Sequence, residues 1–499
     1  MRVNRMRALV ASSLGIAAGI FGFAAGAGLT ASWWAAALIG AAAACLVAWL
    51  VSTRQVVFLD EAACSRRLKI VSGVASLVAL VQLARLAVFM VDPSQIDYSF
   101  VSKSKWEVEH SCLSAYFVSA QASSSGQDIY DDALFTMPDD VPTQPRKARM
   151  LGPFKIDVFE YPPTYLLLPR AFLLLTPDFT HFRMLWFGAT GGVVLLAFLV
   201  VARFMGPAAG TRALLLTPLV WMSFPTLSVL QKGNVQVTVI AAAMLAMVLF
   251  ERRRDAAGGA ILAFVTMSKL YPGMLVVYLL AQRRWRALAF TAAFGFVFLA
   301  ASLVDTGWAP YVAFLHRLPG ILGGEAFPAF RNPAAMAINF SIPGLVFKLK
   351  LFGVPGMGFG ASKVVGWAYT VLVVAATVLV GRRALRDDRK PPVWMAILIL
   401  ATLRSPFLPQ GYAAFPPLWV LTLMAAIVAP TARVLSMVLV AWAALNVYWP
   451  MDWPVDPRLL AVCSVVPQAV TVALAALALR PPGGWVESEC ASPIKDEPA

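Results

Sequence analysis

The sequence opens with a long stretch that carries no charge, residues 8–53, ALVASSLGIAAGIFGFAAGAGLTASWWAAALIGAAAACLVAWLVST. A helix needs roughly 20 apolar residues to cross the hydrocarbon core of a bilayer, and this stretch contains two such segments, at about 8–28 and 33–53. Further segments of this kind lie at about 70–91, 183–203, 286–304, 360–381 and 459–479. Of all residues 60% are hydrophobic and 13% are charged, which is not the composition of a soluble domain. The sequence therefore predicts an all-α, polytopic integral membrane protein.

The basic residues explain the formal net charge of +15 without a nucleic-acid partner. They stand in short clusters between the apolar segments, within residues 2–7, 54–69, 252–254, 283–286 and 382–390. A path that places every cluster in the cytoplasm is self-consistent, as the positive-inside rule requires. It predicts a multi-pass cell-membrane protein (inner or plasma membrane) whose N- and C-termini are cytoplasmic. The first segment is longer than a signal-peptide core and a second span follows at once, so we expect it to be retained.

Residues 92–163 are polar and follow the third predicted span, so the same path places them outside the cytoplasm. They hold eleven Asp and Glu against six Lys and Arg. The loop at 305–358 and the corners at 231–234, 269–272, 405–412 and 448–458 lie on the same side. Three apolar segments, at 256–268, 271–283 and 392–404, are shorter than a full crossing. We expect short helices that meet partway through the membrane, where protein or a water-filled cavity surrounds their ends.

Several classes of protein are disfavoured by what the sequence lacks. It contains no Walker loop and no glycine-rich turn after a strand, and the glycines within residues 15–26 sit in a span, where small residues serve helix packing. Of the five cysteines only Cys112 falls outside the cytoplasm, so no external disulfide is expected and no metal-ligand spacing is found. An enzyme or a secondary transporter without cofactor or metal remains.

Polar residues break the apolar helices at two of the outer corners. Residues 230–236 read LQKGNVQ, in which Gln231 and Asn234 either join helices or contact a substrate. Residues 267–273 read MSKLYPG, with Lys269 at the end of a short helix that Pro272 breaks. Lys269 either reaches the membrane interface or neutralises a phosphate that arrives in the bilayer.

Three arginines, Arg170, Arg331 and Arg404, lie at the same predicted depth as these corners. Prolines on both sides of Arg170 indicate an interfacial or re-entrant element, because both of its ends must lie outside. Each arginine alone is most often structural. Together, these cations could form a pocket for a diphosphate or a phosphodiester.

Six motifs resemble glycosyltransferase family 87 in their order and spacing, over residues 92–450. They are YFVSAQASSSGQDIY (116–130), EYPP (160–163), LQKGNVQ, MSKLYP followed by RRWRA, NFSIPG (339–344) and SPFLPQGY (405–412). The resemblance implies a GT-C type helical bundle with a large extracytoplasmic first loop that contains interfacial helices. It divides the chain into an extra helix pair with a cytoplasmic loop at 1–69, a transferase domain at 70–480 whose catalytic loop is 92–163, and a disordered cytoplasmic tail at 481–499.

The resemblance also implies the activity. Family 87 enzymes move a sugar, such as mannose or arabinofuranose, from a polyprenyl-phosphate carrier to a glycolipid or glycan acceptor in cell-envelope biogenesis. Transfer is expected to be inverting, metal-independent and extracytoplasmic. A secondary transporter or flippase of a polyprenyl-linked precursor is the main alternative, and a non-catalytic scaffold is the third.

An inverting transfer needs a carboxylate that removes the proton of the acceptor hydroxyl, a contribution worth ~10²–10⁴ in rate. Family members commonly carry Asp four residues before the tyrosine that matches Tyr116, where this chain has Cys112. If residues 109–112 are helical, Glu109 lies on the same face as Cys112, so Glu109 is the predicted base, ahead of Asp97 and Glu107. There are two alternatives: each of these carboxylates is a solvated surface group, or the protein is an inactive relative of the family. The predicted binding residues for the donor phosphate and substrate are Lys269, Arg331, Arg404, His110, Gln231, Asn234 and Tyr161.

Overall fold

The computed structural model describes residues 5–30, 32–53, 59–137 and 147–480. The regular secondary structure of these residues is helical apart from one small sheet and two isolated β-bridges. Seven helices are long and apolar enough to cross a membrane, or eight if one bent pair counts as a span. They coincide with the seven segments that the sequence predicts. The all-α, polytopic membrane architecture is therefore confirmed. The predicted disordered tail at 481–499 lies outside the described residues.

The first three helices each span the length of a bilayer. They are α1 (Arg5–Leu29), α2 (Trp33–Ser52) and α3 (Arg66–Val91). The backbones of α1 and α2 approach closely, because a Cβ atom on Gly22 would lie 2.8 Å from that of Ala43. The glycines of α1 thus serve helix packing, as predicted.

The polar segment after α3 contains short helices and a small three-stranded sheet. Its elements, with the helix that follows, are α4 (Lys105–Glu109), β1 (His110–Ser111), α5 (Cys112–Ser124), β2 (Met150–Leu151), β3 (Phe154–Ile156) and α6 (Leu167–Leu173). β3 lies in the middle, parallel to β1 and antiparallel to β2, with His110 opposite Lys155. Arg170 lies on the seven-residue α6, which is too short to span a bilayer, and its Nε atom is 3.0 Å from the Asp305 carboxylate.

The middle of the chain carries two predicted corners on breaks between helices. The helices are α7 (Phe179–Phe204), α8 (Pro207–Trp221), α9 (Phe224–Lys232), α10 (Gln236–Glu251), α11 (Asp255–Ser268), α12 (Gly273–Ala281) and α13 (Trp285–Thr306). α8 and α9 bend by 65°. Gly233 directly follows α9 and caps its C-terminal end, with a left-handed φ of 66°. A Cβ atom at this position would overlap the side chain of Leu113. Glycine is therefore required in the LQKGNVQ turn.

The C-terminal third holds the last two motifs together. Its helices are α14 (Ala309–Gly323), α15 (Pro333–Ala337), α16 (Leu345–Leu351), α17 (Phe359–Gly381), α18 (Lys390–Thr402), α19 (Gln410–Ala413), α20 (Phe415–Ala426), α21 (Ala432–Leu445) and α22 (Pro457–Ala478). The Asn339 amide donates to the Pro406 carbonyl at 2.9 Å and accepts from the Leu408 amide at 3.0 Å. This contact joins NFSIPG to SPFLPQGY and fixes the approach to α19.

The N-terminal helix pair is packed onto the rest of the bundle. A Cβ atom on Gly188 of α7 would lie 2.5 Å from the Phe21 carbonyl oxygen of α1, so these two backbones also touch closely. The predicted N-terminal unit at 1–69 is therefore in direct contact with the helices that follow it.

Candidate active site

A cluster of polar side chains forms where β1, the segment after β3, the α9–α10 turn and α19 meet. His110 Nε2 lies 2.7 Å from the Tyr412 hydroxyl and 3.8 Å from a carboxylate oxygen of Asp157. The Cys112 sulfur lies 3.2 Å from the same hydroxyl, and the Asn234 amide nitrogen donates to it at 3.3 Å. Two of the motifs found in the sequence, LQKGNVQ through Asn234 and SPFLPQGY through Tyr412, therefore meet His110 and Cys112 beside Asp157.

The small sheet explains why Asp157 reaches this position. β1 and β3 run side by side in the same direction, so the residues that follow them emerge together. The Ser114 hydroxyl donates to the Lys155 carbonyl at 3.0 Å and accepts from the Asp157 amide at 3.0 Å. The first turn of α5 thus holds the backbone of Asp157 in place.

The electrostatics of the cluster leave Asp157 as its ionisable group near neutral pH. Burial raises the pKa of Asp157 to about 6, although hydrogen bonds from Val158 and Cys112 and the charge of Lys232 oppose the shift. Its side chain is still 38% accessible, so a substrate hydroxyl can reach the carboxylate. Burial lowers the pKa of His110 to about 3, with help from Lys232 and Lys155, and raises that of Cys112 to about 12. The imidazole and the thiol are thus neutral.

A buried ion pair lies behind this cluster. Lys232 Nζ is 2.8 and 3.0 Å from the two carboxylate oxygens of Glu107, which is 1% exposed, and the Tyr448 hydroxyl donates to that carboxylate at 2.7 Å. Glu107, third among the predicted bases, is therefore buried away from solvent and paired with Lys232. Gln231 donates to the Glu107 carbonyl at 2.8 Å and accepts from the Phe100 amide at 2.6 Å, so its amide joins the loop to α9.

The other two predicted bases lie beside or away from the cluster. Glu109 is 2.9 Å from Lys155 Nζ and 3.6 Å from Lys105 Nζ. The helical argument for Glu109 is wrong, because α4 ends at Glu109 and α5 begins at Cys112, with extended backbone between them. Asp97 is exposed in the 3₁₀ turn Ile96–Tyr98, outside the cluster.

A second set of polar groups surrounds the break between α11 and α12. Lys269 Nζ donates to the Gln236 side chain at 3.0 Å and lies 5.1 Å from the centre of the Tyr161 ring. The Tyr161 and Tyr116 hydroxyls are 2.8 Å apart. Burial raises the pKa of Glu160 to about 8; the nearby charge of Asp157 adds to this shift and that of Lys269 opposes it. The charges of both Asp157 and Lys269 thus act on Glu160.

The remaining predicted cations do not join either set. Arg404 Nε donates to the Thr370 hydroxyl at 2.9 Å, and its guanidinium lies over the Trp367 ring of α17. Arg331 is exposed at the end of the 3₁₀ turn Pro328–Arg331. Within the described part of the chain, neither side chain contacts Asp157 or Lys269.

Sequence reasoning missed Asp157 and found no metal-ligand spacing. The ligand atoms of His110, Cys112 and Asp157 lie within 4.8 Å of one another, and all three are ligand types that zinc uses. The charges of Lys232 and Lys155 act on the same His110 and oppose a cation there. The available sequence signal for Asp157 was its place three residues before Glu160 of the EYPP motif.

Comparisons with known proteins give the family of the chain. No curated protein matches the chain. The crystal structure of ArnT from Cupriavidus metallidurans bound to undecaprenyl phosphate aligns at 17% identity over 82% of this chain and 77% of that chain, with a TM-score of 0.30, which is too low to assign a shared fold or function. The model of glycosyltransferase family 87 matches residues 159–409, half of the chain, and this region contains EYPP, LQKGNVQ, MSKLYP and NFSIPG. The chain therefore belongs to glycosyltransferase family 87 and is a membrane glycosyltransferase.

Proposed function

We propose that this protein transfers a sugar from a polyprenyl-phosphate carrier to a hydroxyl of a glycolipid or glycan acceptor. Its family supports the class of reaction. The observation that carries the proposal is the position of Asp157, a carboxylate whose pKa is raised to about 6 and whose side chain is 38% accessible. It lies 3.8 Å from His110 in the cluster that also contains Cys112, Asn234 and Tyr412. A donor sugar bound between Asp157 and Lys269 would present its anomeric carbon to one and its phosphate to the other.

Asp157 is the proposed general base. Its carboxylate takes the proton of the acceptor hydroxyl while that oxygen forms a bond to the anomeric carbon from the face opposite the phosphate. The bond between the anomeric carbon and the phosphate oxygen breaks, and its electron pair leaves with the lipid phosphate. A base with a pKa of about 6 is mostly ionised at pH 7 and matches the operating pH better than an ordinary aspartate does. Glu109 is the alternative base, because it directly precedes His110.

Lys269 is the proposed partner of the departing phosphate. Its ammonium group is held by Gln236 and the Tyr161 ring, and a positioned cation stabilises the charge that develops on the leaving group. His110 and Asn234, both close to Cys112, are proposed to contact the sugar or the acceptor. Arg331 and Arg404 lie away from these contacts, and for them we propose at most an interaction with the carrier farther from the reacting atoms.

We infer that the reaction takes place on the extracytoplasmic side of the cell membrane, with both termini in the cytoplasm. The clusters of arginine between the spans support this orientation. Residues 70–480 are the proposed transferase domain, with residues 92–163 as its catalytic loop. The proposed sugar is mannose or a pentose such as arabinofuranose, and the proposed process is synthesis of an envelope glycan.

The test uses purified protein in detergent with radiolabelled polyprenyl-phosphate mannose and, separately, polyprenyl-phosphate arabinofuranose. We expect one donor to give a labelled acceptor product with inverted anomeric configuration, and the same yield in the presence of a chelator. Movement of label that needs sealed vesicles and leaves the donor intact would instead identify the transporter or flippase. Labelling of Lys103→Cys by a membrane-impermeant maleimide tests the orientation, and reaction only in opened cells would contradict it.

A further inference from the structure

A cavity of about 950 Å³ lies at the C-terminal ends of α12 and α17, away from the candidate active site. Lys269 precedes the N-terminal end of α12, so this short helix separates the two places. Four arginines and two apolar side chains dominate the lining: Arg283, Arg284, Arg382, Arg383, Leu280 and Val378. The cavity therefore combines strong positive charge with an apolar wall.

Among the residues that the structure describes, two of the four arginines make no side-chain hydrogen bond or ion pair. Arg284 forms an ion pair with Glu251 at 2.6 Å, and Arg383 donates to the Leu479 carbonyl at 2.7 Å. In the described ranges, Arg283 and Arg382 make no side-chain hydrogen bond or ion pair, and none of the residues that line the cavity is acidic. Guanidinium groups in this state suit phosphate, which they bind through paired hydrogen bonds.

The backbone at Arg283 adds an independent observation. Its φ of 57° is left-handed, at the turn after α12 where the Arg284 amide donates back to the Leu279 carbonyl. Glycine is the usual residue at such a helix end, because a side chain is strained there. Arg253 has the same conformation, with a φ of 58°, in the turn between α10 and α11, but it does not line the cavity. Arg253 is thus a natural control for the turn itself.

The apolar wall places the cavity at a membrane surface. Leu280 is 51% exposed, and Trp285, directly after the arginine pair, is 63% exposed. Exposed tryptophans mark the interface between lipid and water, and basic pockets between membrane helices bind lipid headgroups. A soluble anion would need the arginines alone, whereas a lipid would also cover the exposed Leu280.

We propose that this cavity binds the phosphate headgroup of an anionic phospholipid. Arg283 and Arg382 hold the phosphate, and the acyl chains lie along Leu280 and Val378. The site is separate from the transferase centre, and its occupant is a membrane lipid rather than the sugar donor.

Native mass spectrometry of the full-length protein in detergent tests this proposal, with phosphatidylglycerol and phosphatidylcholine as probes. The double variant Arg283→Gln/Arg382→Gln is compared with Arg252→Gln/Arg253→Gln, which loses the same charge from exposed arginines outside the cavity. We expect phosphatidylglycerol to bind at least about tenfold more weakly to the first variant only, because both guanidinium contacts to the phosphate are lost. Phosphatidylcholine should bind weakly to all three proteins.

Three outcomes would overturn the proposal. They are an equal loss in both double variants, equal binding of the two lipids, and displacement of phosphatidylglycerol by an equimolar amount of inorganic phosphate, which would indicate a site for a soluble anion. Arg283→Gly guards against misfolding, because it relieves the strained turn. We expect it to raise the melting temperature while weakening lipid binding, and unchanged binding in this variant would also contradict the proposal.

Discussion

Cys112 and Asp157 face each other across the β1–β3 pair, with the thiol sulfur and a carboxylate oxygen within 4.8 Å. The resemblance to family 87 leads one to expect an aspartate at position 112. In this chain the neighbouring strand supplies a carboxylate to nearly the same point. The change from Asp to Cys therefore need not remove the base from the site.

Replacing Asp157 by Asn should lower kcat by about 10²–10⁴ while leaving the affinity for the donor within a few-fold. Asparagine keeps the size of the side chain but cannot accept the hydroxyl proton. Steady-state transfer and donor binding are measured on the same preparation. Glu109→Gln is the matched control, with an expected loss of less than about tenfold, and the reverse order of the two losses would move the base to Glu109.

Adding Cys112→Asp to the Asp157→Asn variant should raise kcat at least about tenfold above that of Asp157→Asn alone. This gain corresponds to a barrier lower by roughly 1.4 kcal/mol. The double variant places a single carboxylate where family members commonly have one. Cys112→Ser in the same Asp157→Asn background is the control, since it offers no base. If the Ser and Asp variants are equally inactive, the two positions are not interchangeable.

The pH dependence of kcat/KM should show an acidic limb near pH 6, because Asp157 must be ionised to act and its pKa is raised to about 6. Activity should fall tenfold per pH unit below that value. A limb near pH 4 would exclude Asp157 as the base.

The raised pKa of Asp157 also makes the stability of the fold depend on pH. Its folded pKa exceeds the unfolded value of about 3.9, so the protonated carboxyl stabilises the fold below pH 4. This contribution is lost as the pH rises through 6. Asp157→Asn should therefore melt higher than wild type at pH 7.5.

Breaking the buried ion pair between Glu107 and Lys232 should destabilise the protein by about 3–5 kcal/mol, because one charge is left buried without a partner. Thermal unfolding of Glu107→Gln and Lys232→Met measures this loss. The double variant removes both charges, and we expect it to be more stable than either single variant. Additive losses would mean that the two side chains do not depend on each other.

Replacing Lys269 by Gln should weaken binding of polyprenyl phosphate by about tenfold or more, since a charge-assisted contact to phosphate is worth about 1.5–3 kcal/mol. Fluorescence or calorimetric titration with the carrier lipid measures this change directly. Arg404→Gln is the control, because Arg404 contacts Thr370 and Trp367 instead. A larger effect at Arg404 than at Lys269 would assign the phosphate contact to Arg404.

The sequence predicted the membrane helices well and the catalytic geometry poorly, for a physical reason. A membrane span is recognisable in a sequence as about 20 consecutive apolar residues. The seven predicted segments agree with the seven long apolar helices of the described residues to within a few positions at each end. β1 and β3 have only two and three residues, too few to show an alternating pattern. Their pairing brings Asp157 beside Cys112, whereas extending a helix through His110 pointed to Glu109.

The corners were predicted, but not the roles of their residues. Lys232 was passed over as part of a polar turn, yet it forms the buried partner of Glu107. For Gln231 the sequence left two roles open, joining helices and contacting substrate, and its two hydrogen bonds to backbone groups of residues 100 and 107 correspond to the first. Such contacts bridge residues more than a hundred positions apart, so local spacing cannot reveal them.

The pairing of Lys232 with Glu107 also bears on how substrates arrive. The same part of the loop is held by Ser104 and by the Trp106 amide, which both donate to the Asp452 carboxylate, at 2.6 and 3.0 Å. Moving residues 104–107 away would leave the Lys232 ammonium group buried without its partner Glu107, at a cost of several kcal/mol. Residues 104–107 therefore form a fixed wall of the site instead of a lid that opens for each substrate.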